Sequence, residues 1–365
     1  MTCRAVFLLW LCVGCREPPR SLTLSATDPR VLYTGLFDRR ALGAARFSWE
    51  GSRIDVAFES PWLRVRLEDT PVEDETRELD LIDVTLDDQP TRVFALAEGA
   101  HVYPLATGLP AGPHRVSISK RTEPEVGVIA LRGFEIAPSG TFLAKPPTSP
   151  RALYFVGDSV TAGYGNLGAD GSCHFSVDSE DNLQTYGAVA ASDLGASYTA
   201  LAWSGKGLTR NYEARDETLL PALLDLAIPT EVGSARAEPR PAHAVVVNLG
   251  TNDFFRGIPD ERAFVRAYLD LLARLRARNP SAWFVLVLGP MLADDIPQPR
   301  ARSLTRQWLL AIREQRRAAG DSRVDLLEQW IDPTEGFGCD FHPNVKTHAR
   351  LGHELSQLLR DRLGW

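Results

Sequence analysis

A chain of 365 residues, 44% hydrophobic and 24% charged, has the composition of a globular protein and the length of two ordinary domains. Its formal net charge is −7, with no basic stripe along it, which excludes a nucleic-acid-binding footprint. The first feature in chain order is an apolar run, Ala5–Val13, directly behind Arg4. The run is shorter than the about 20 apolar residues that a membrane-spanning helix needs, and it has the form of an export signal.

That run ends in Leu11-Cys-Val-Gly-Cys15, which resembles a bacterial lipoprotein cleavage box with Cys15 as the lipidated residue. Residues 1–15 are therefore read as a signal peptide. The mature protein is expected outside the cytoplasm, anchored in the cell envelope through lipid on Cys15 or otherwise secreted. Residues 16–30 read as a tether. Between Val31 and Ile136 short alternating runs recur, at Arg46–Trp49, Ile54–Phe58, Trp62–Leu67, Val84–Leu86 and Val116–Ile118. Turn signals such as Asp87-Asp-Gln-Pro90 and Leu109-Pro-Ala-Gly-Pro113 separate them. Short strands at this spacing predict an all-β sandwich or jelly roll over 31–137.

Pro138-Ser-Gly140 and Lys145-Pro-Pro-Thr-Ser-Pro150 break the pattern and mark a linker over 138–150. After it the texture changes to strand–helix alternation. Apolar runs at Ala152–Val156, Ala244–Leu249 and Trp283–Leu288 read as buried parallel strands. Helical periodicity follows over 184–194, 260–278, 300–319 and 347–363. The alternation predicts a three-layer α/β domain with a parallel sheet over 151–365.

Four blocks in this second half carry chemistry. Gly157-Asp-Ser159 lies just past the carboxyl end of the first α/β strand, where open α/β sheets place their ligands. Alone it is a common turn string, and Ser159 could simply cap a helix. Ala202-Trp-Ser-Gly-Lys-Gly207 follows a β-like run at Tyr198–Leu201. Asn248-Leu-Gly-Thr-Asn-Asp253 closes another strand, and Gly338-Cys-Asp-Phe-His-Pro343 precedes the last helix. A serine hydroxyl needs a base within hydrogen-bond reach and donors aimed at the oxyanion that forms, and these blocks hold both. Gly163 lies four residues after Ser159, so the Gly-x-Ser-x-Gly nucleophile elbow is absent.

The order of these blocks resembles the SGNH (GDSL-like) hydrolase superfamily over 151–365. The preceding β domain, with Gly289-Pro-Met-Leu292 and Thr185-Tyr-Gly-Ala188, is most similar to carbohydrate esterase family 2, which pairs a jelly roll with an SGNH domain and removes acetyl groups from sugars. The resemblance implies Ser159 as nucleophile and His342 as general base. It implies an oxyanion hole from the backbone N–H groups of Ser159 and Gly205 and the Asn252 amide. Asp340 is the candidate orienter of the imidazole, with a main-chain carbonyl as the alternative. The implied reaction is acyl transfer from an acetylated polysaccharide or oligosaccharide to Ser159 and then to water, without metal or cofactor. A lipase or thioesterase of the same superfamily and an inactive carbohydrate-binding surface protein are the rival readings.

Other features weigh less. Trp203, Lys206 and Trp330 are candidate substrate contacts, against the default of packing or surface roles. Gly163-Tyr-Gly-Asn-Leu-Gly168 matches a dinucleotide fingerprint but neither follows its strand directly nor opens a helix. His348 and His353, five apart, are off the spacing that would align them as ligands with His342. With Cys3 and Cys12 in the signal and Cys15 lipidated, Cys173 and Cys339 remain in a compartment that permits disulfides. Both flank catalytic blocks, so a bridge between them is expected if Ser159 and His342 meet. Two buried thiols are the alternative.

Overall fold

The computed structural model describes residues 20–72, 78–214, 217–295 and 300–365. The export signal and Cys15 lie outside the described residues. The first part of the chain forms strands β1 (Leu22–Ser25), β2 (Leu32–Thr34), β3 (Ala45–Phe47), β4 (Arg53–Glu59), β5 (Trp62–Pro71), β6 (Leu81–Leu86), β7 (Arg92–Ala95), β8 (Gly99–Thr107), β9 (His114–Lys120), β10 (Gly127–Ile136) and β11 (Thr141–Phe142). They make two antiparallel sheets. One has the order β1-β10-β5-β8 with β3 also on β10, and the other the order β11-β4-β9-β6-β7 with β2 also on β4.

Alternation explains the sandwich. In β5, Leu63, Val65 and Leu67 are buried while Arg64 and Arg66 are exposed, the period-2 pattern of a strand with one face in a core. Those residues pack with Ile54, Val56 and Phe58 of β4 and with Val116 and Ile118 of β9. Two boundaries differ from expectation. Leu22–Ser25, read as tether, pairs with Ile136–Gly133 as an edge strand. Thr141–Phe142, read as linker, pairs with Glu59–Phe58. In each case a few residues complete a sheet edge, too few to show a period of their own.

The second part alternates β12 (Ala152–Gly157), α1 (Ser159–Ala162), α2 (Tyr186–Asp193), β13 (Ser197–Ala202), α3 (Leu220–Leu223), β14 (Ala244–Asn248), α4 (Thr251–Phe255), α5 (Glu261–Arg278), β15 (Trp283–Leu288), α6 (Ala301–Ala318), β16 (Val324–Glu328) and α7 (Val345–Leu363). The five strands form one parallel sheet in the order β13-β12-β14-β15-β16. Helices cover both faces. Leu153 and Phe155 of β12 pack with Tyr186 of α2 and Leu351 and Leu355 of α7. The alternate residues Tyr154 and Val156 join the core that holds Tyr268 and Leu272 of α5 and Trp308 of α6.

The chain enters at β12, pairs β13 on one side and then crosses to β14 on the other. This reversal is the topological switch point at which open α/β sheets bind ligands beyond the carboxyl ends of their strands. Gly157 is in register with Ala202 of β13 and with Asn248 of β14. The loops carrying Ser159, Gly205 and Asn252 therefore leave the sheet at one level. Gly157 itself is required there, because a Cβ would lie 2.0 Å from the Thr161 hydroxyl oxygen.

Candidate active site

Ser159 is the first residue of α1, and the Asp158 carboxylate caps that helix by accepting from the Val160 N–H at 3.3 Å. Asp158 is fully buried, and burial pushes its pKa up to about 7. The Ser159 hydroxyl oxygen lies 2.9 Å from His342 Nε2. On the far side of the ring, His342 Nδ1 lies 3.2 Å from the main-chain carbonyl of Asp340. A ring that donates from Nδ1 to a carbonyl presents an unprotonated Nε2 to the serine, the tautomer a general base requires. Burial holds the imidazole pKa down at about 4, so the ring is neutral at neutral pH.

The Asp340 carboxylate does not orient the imidazole. Asp340 has φ of 51° and Phe341 φ of 58°, a left-handed pair that directs the Asp340 carbonyl at the ring and carries the carboxylate elsewhere. There it accepts from Tyr164 Oη at 3.0 Å, His174 Nδ1 at 2.8 Å and the Phe175 N–H at 3.1 Å. Partial burial alone would raise its pKa, but those donors hold the carboxyl below its ordinary value. Its role is to fasten the loop that carries His174 and Phe175. Tyr164 then sits between Phe175 and His342, each ring centroid 4.5 Å from its own.

A disulfide joins Cys173 to Cys339, with Cα atoms 4.6 Å apart. The Asp340 N–H donates to the Cys173 carbonyl at 2.9 Å and the Cys339 N–H to the Gly165 carbonyl at 2.9 Å. The histidine turn is thus tied, covalently and by backbone, to the loop that follows the serine. Closing a loop between residues 166 apart removes chain entropy worth about 4–5 kcal/mol in the simplest treatment.

Opposite the histidine, Gly205 adopts φ of 75°, a left-handed conformation that glycine adopts without a side-chain penalty. The Asn252 amide donates to the Lys206 carbonyl at 2.8 Å, which joins α4 to the Gly205 turn. Asp253 accepts from the N–H groups of Leu208 at 2.9 Å and Thr209 at 2.7 Å. Sequence reading gave Asp253 no role, although it completes the Gly-Thr-Asn-Asp string. Its charge depends on a loop 45 residues upstream, which spacing does not reveal.

Ser159, Gly205, Asn252 and His342 line a cavity of about 710 Å³. Trp203, Lys206 and Trp330 do not line it. The Trp203 indole donates to Glu125 at 2.8 Å, and Lys206 lies over that ring and donates to the Thr218 carbonyl at 3.1 Å. Trp330 packs under Arg350. Trp203 and Lys206 serve packing, since the polar tip of each is satisfied inside the protein, while Trp330 is half exposed away from the cavity. The aromatic wall of the cavity is instead Tyr212 against Phe255, 3.8 Å between ring centroids and each 44% exposed. Among the described residues, no group of three or more His, Cys, Asp or Glu could hold a metal ion.

The sequence model of the GDSL-like lipase/acylhydrolase family matches residues 155–350, and that of the carbohydrate esterase 2 N-terminal domain matches residues 33–146. The chain belongs to the GDSL-like lipase/acylhydrolase family. The match over 33–146 places a carbohydrate esterase 2 type of N-terminal domain ahead of the GDSL-like match over 155–350. It is 30% identical over 346 residues to the cellulase/esterase CelE of Acetivibrio thermocellus, covering 94% of this chain but 41% of that protein. It is 26% identical to an acetylxylan esterase/glucomannan deacetylase of Cellvibrio japonicus, covering 94% and 92%. A family two carbohydrate esterase from Clostridium thermocellum in complex with cellohexaose superimposes with a TM-score of 0.84 at 29% identity, covering 92% of this chain and 99% of that one.

Two outcomes follow from this geometry. Ser159→Ala and His342→Ala should each lower kcat by about 10³-fold or more while leaving the fold intact, and the double variant should lose no more than either alone. Asp340→Asn should cost less than about tenfold, because the carbonyl that orients the ring is retained and asparagine tolerates positive φ. Kinetics on 4-nitrophenyl acetate with circular dichroism of each variant check both. The second concerns acid. The base must be neutral, so kcat/KM should stay level as pH falls and decline only near about 4. An acid limb centred near the ordinary histidine value of about 6.5 would contradict that burial.

Proposed function

We propose that this chain is a carboxylic ester hydrolase that removes acetyl groups from acetylated polysaccharides or oligosaccharides. The observation that carries the proposal is the 2.9 Å contact between Ser159 Oγ and a neutral His342 at the mouth of a cavity shared with Gly205 and Asn252. Ser159 Oγ attacks the acetyl carbonyl carbon as its proton passes to His342 Nε2. The carbonyl oxygen becomes an oxyanion, held by the N–H groups of Ser159 and Gly205 and by the Asn252 amide. The C–O bond to the sugar breaks, the sugar oxygen takes the proton from His342, and an acetyl-Ser159 remains. Water, deprotonated by the same imidazole, then releases acetate and restores the serine. The Asp340 carbonyl supports the imidazolium formed at each step.

The substrate class rests on the N-terminal domain type and on the named activities of the relatives. The exposed Tyr212–Phe255 face at the cavity suits it, since the face of an aromatic ring packs well against a sugar ring. One observation favours a second reading, a lipase or thioesterase. The cavity is roomy, and Phe254, Met291 and Leu292 give it an apolar side. A hydrolysis panel decides between them. Acetyl esters should turn over faster than butyryl and octanoyl esters, and acetylated xylan or glucomannan should release acetate. Faster turnover of octanoyl esters would give the site to longer acyl chains.

We also propose export of the protein, with lipid on Cys15 holding it at the membrane. Among the described residues no helix is long and apolar enough to cross a membrane. Cys15→Ser should move the protein from the membrane fraction to the soluble fraction or block its maturation, as read on fractionated cells. Membrane association equal to that of the unaltered chain would rule out anchoring at Cys15.

A further inference from the structure

The Gly205 turn is held by groups from the other domain. Ala202, Trp203 and Ser204 are consecutive, and each donates to a different glutamate of the β-sandwich. The Ala202 N–H donates to Glu50 at 2.9 Å, the Trp203 indole N–H to Glu125 at 2.8 Å, and the Ser204 N–H to Glu123 at 2.6 Å. Glu123 makes a second bond, accepting from the Ser204 hydroxyl at 2.5 Å through its other oxygen. Gly205 is the next residue.

Glu123 is in turn tightly seated. It is 0% exposed, in the turn between β9 and β10. Its own N–H donates to Glu180 at 3.2 Å, and its carbonyl accepts from Lys120 Nζ at 3.0 Å. Lys120, also fully buried, reaches Asp80 and the Thr122 hydroxyl as well. A buried carboxyl keeps its place only where donors satisfy it. Glu123 spends both oxygens on the residue before Gly205. Burial and the neighbouring Glu125 push its pKa well above the ordinary value, while the two Ser204 donors pull it down.

We infer that Glu123 is a positioning residue for the reaction, setting the Gly205 N–H against the developing oxyanion through its two bonds to Ser204, and that the β-sandwich thereby forms part of the catalytic machinery. This rests on the hydrolase reading of the Ser159 site. A donor in an oxyanion hole contributes about 10²–10³-fold to kcat, and a displacement of about 1 Å can forfeit 10²-fold. The substrate still enters the same cavity, so the loss should fall on kcat.

The test compares the full chain with Glu123→Ala, Glu123→Gln and Ser204→Ala on 4-nitrophenyl acetate. The number of competent Ser159 sites is counted by complete reaction with a fluorophosphonate. Activity of the unaltered chain establishes the hydrolase reading independently; without it that reading fails before the variants are compared. Per competent site, Glu123→Ala should lose about 10–100-fold in kcat with KM within about threefold. Glu123→Gln, which keeps an acceptor for the Ser204 N–H and sets an amide N–H against its hydroxyl oxygen, which can accept, should recover at least tenfold of a full loss, on the order of the displacement effect. A merely structural role would lower the count of competent sites and the melting temperature while leaving kcat per site within about twofold, and that result overturns the inference. Should Glu123→Ala fail to fold, Ser204→Ala carries the test, with an expected loss of about 3–10-fold in kcat per site and an unchanged kcat again overturning it.

Discussion

Ser159 and His342 lie 183 residues apart in sequence and 2.9 Å apart at Oγ and Nε2, and the surrounding structure serves to hold that separation. The serine is placed from below, by a buried parallel strand ending in a glycine that Thr161 overlies. The histidine is placed from the side, by a left-handed turn at Asp340 and Phe341. Neither device suffices alone, because the turn has no sheet beneath it. The Cys173–Cys339 bridge and the Asp340-to-Cys173 backbone bond close the gap, converting a loop that could move into one fixed to the serine's own neighbours. Holding reacting groups at one geometry is what turns an ordinary hydroxyl and imidazole into a reactive pair.

The legible parts of the fold are those where burial imposes a period or a length. Val245, Val246 and Val247 are buried on both faces of the sheet, and such strands read as continuous apolar runs. The amphipathic stripes of α5, α6 and α7 likewise register at 3.6 residues per turn. β10 was harder to see, for nine of its ten residues are buried and a bulge falls between Leu131 and Gly133, so alternation never develops. β16 carries Asp325 and Glu328 among its five residues, which dilutes the apolar signal of an edge strand.

The site shows the same division. Ser159, Gly205, Asn252 and His342 sit in short blocks at strand ends or before a helix, so their residue types and order announced them. Asp340 was placed in the right turn, with its carboxylate or a main-chain carbonyl open as the orienter, and it is the Asp340 carbonyl that faces the ring. A sequence states that a carboxylate precedes a histidine by two positions, but the positive φ that swings it away depends on bonds to Tyr164, His174 and Phe175. Trp203 was a candidate sugar platform by its aromatic face, against a default of packing, and its indole is committed to Glu125 in the turn between β9 and β10. Tyr212 lies in a loop and Phe255 ends α4, and nothing local predicts that their rings meet at the cavity.

What sequence hides most completely is the contact between the two domains, since each partner looks ordinary in its own segment. The Trp49 indole donates to the Leu226 carbonyl, and Arg121 bridges Asp83 of the sandwich to Asp181 beside α2. Glu50, Glu123 and Glu180 are buried, and burial pushes the pKa of each upward. Buried carboxyls are costly to keep for adhesion, as apolar residues of similar volume hold two surfaces together at least as well. Their virtue is direction: a carboxyl fixes the donor it faces within a few tenths of an ångström, where apolar packing tolerates sliding. An interface built from directional bonds on Ala202, Trp203 and Ser204 gives up some adhesion and gains an exact position for the residue that follows them. That residue is Gly205, so the cost of the buried acids is borne where geometry matters most to the proposed chemistry.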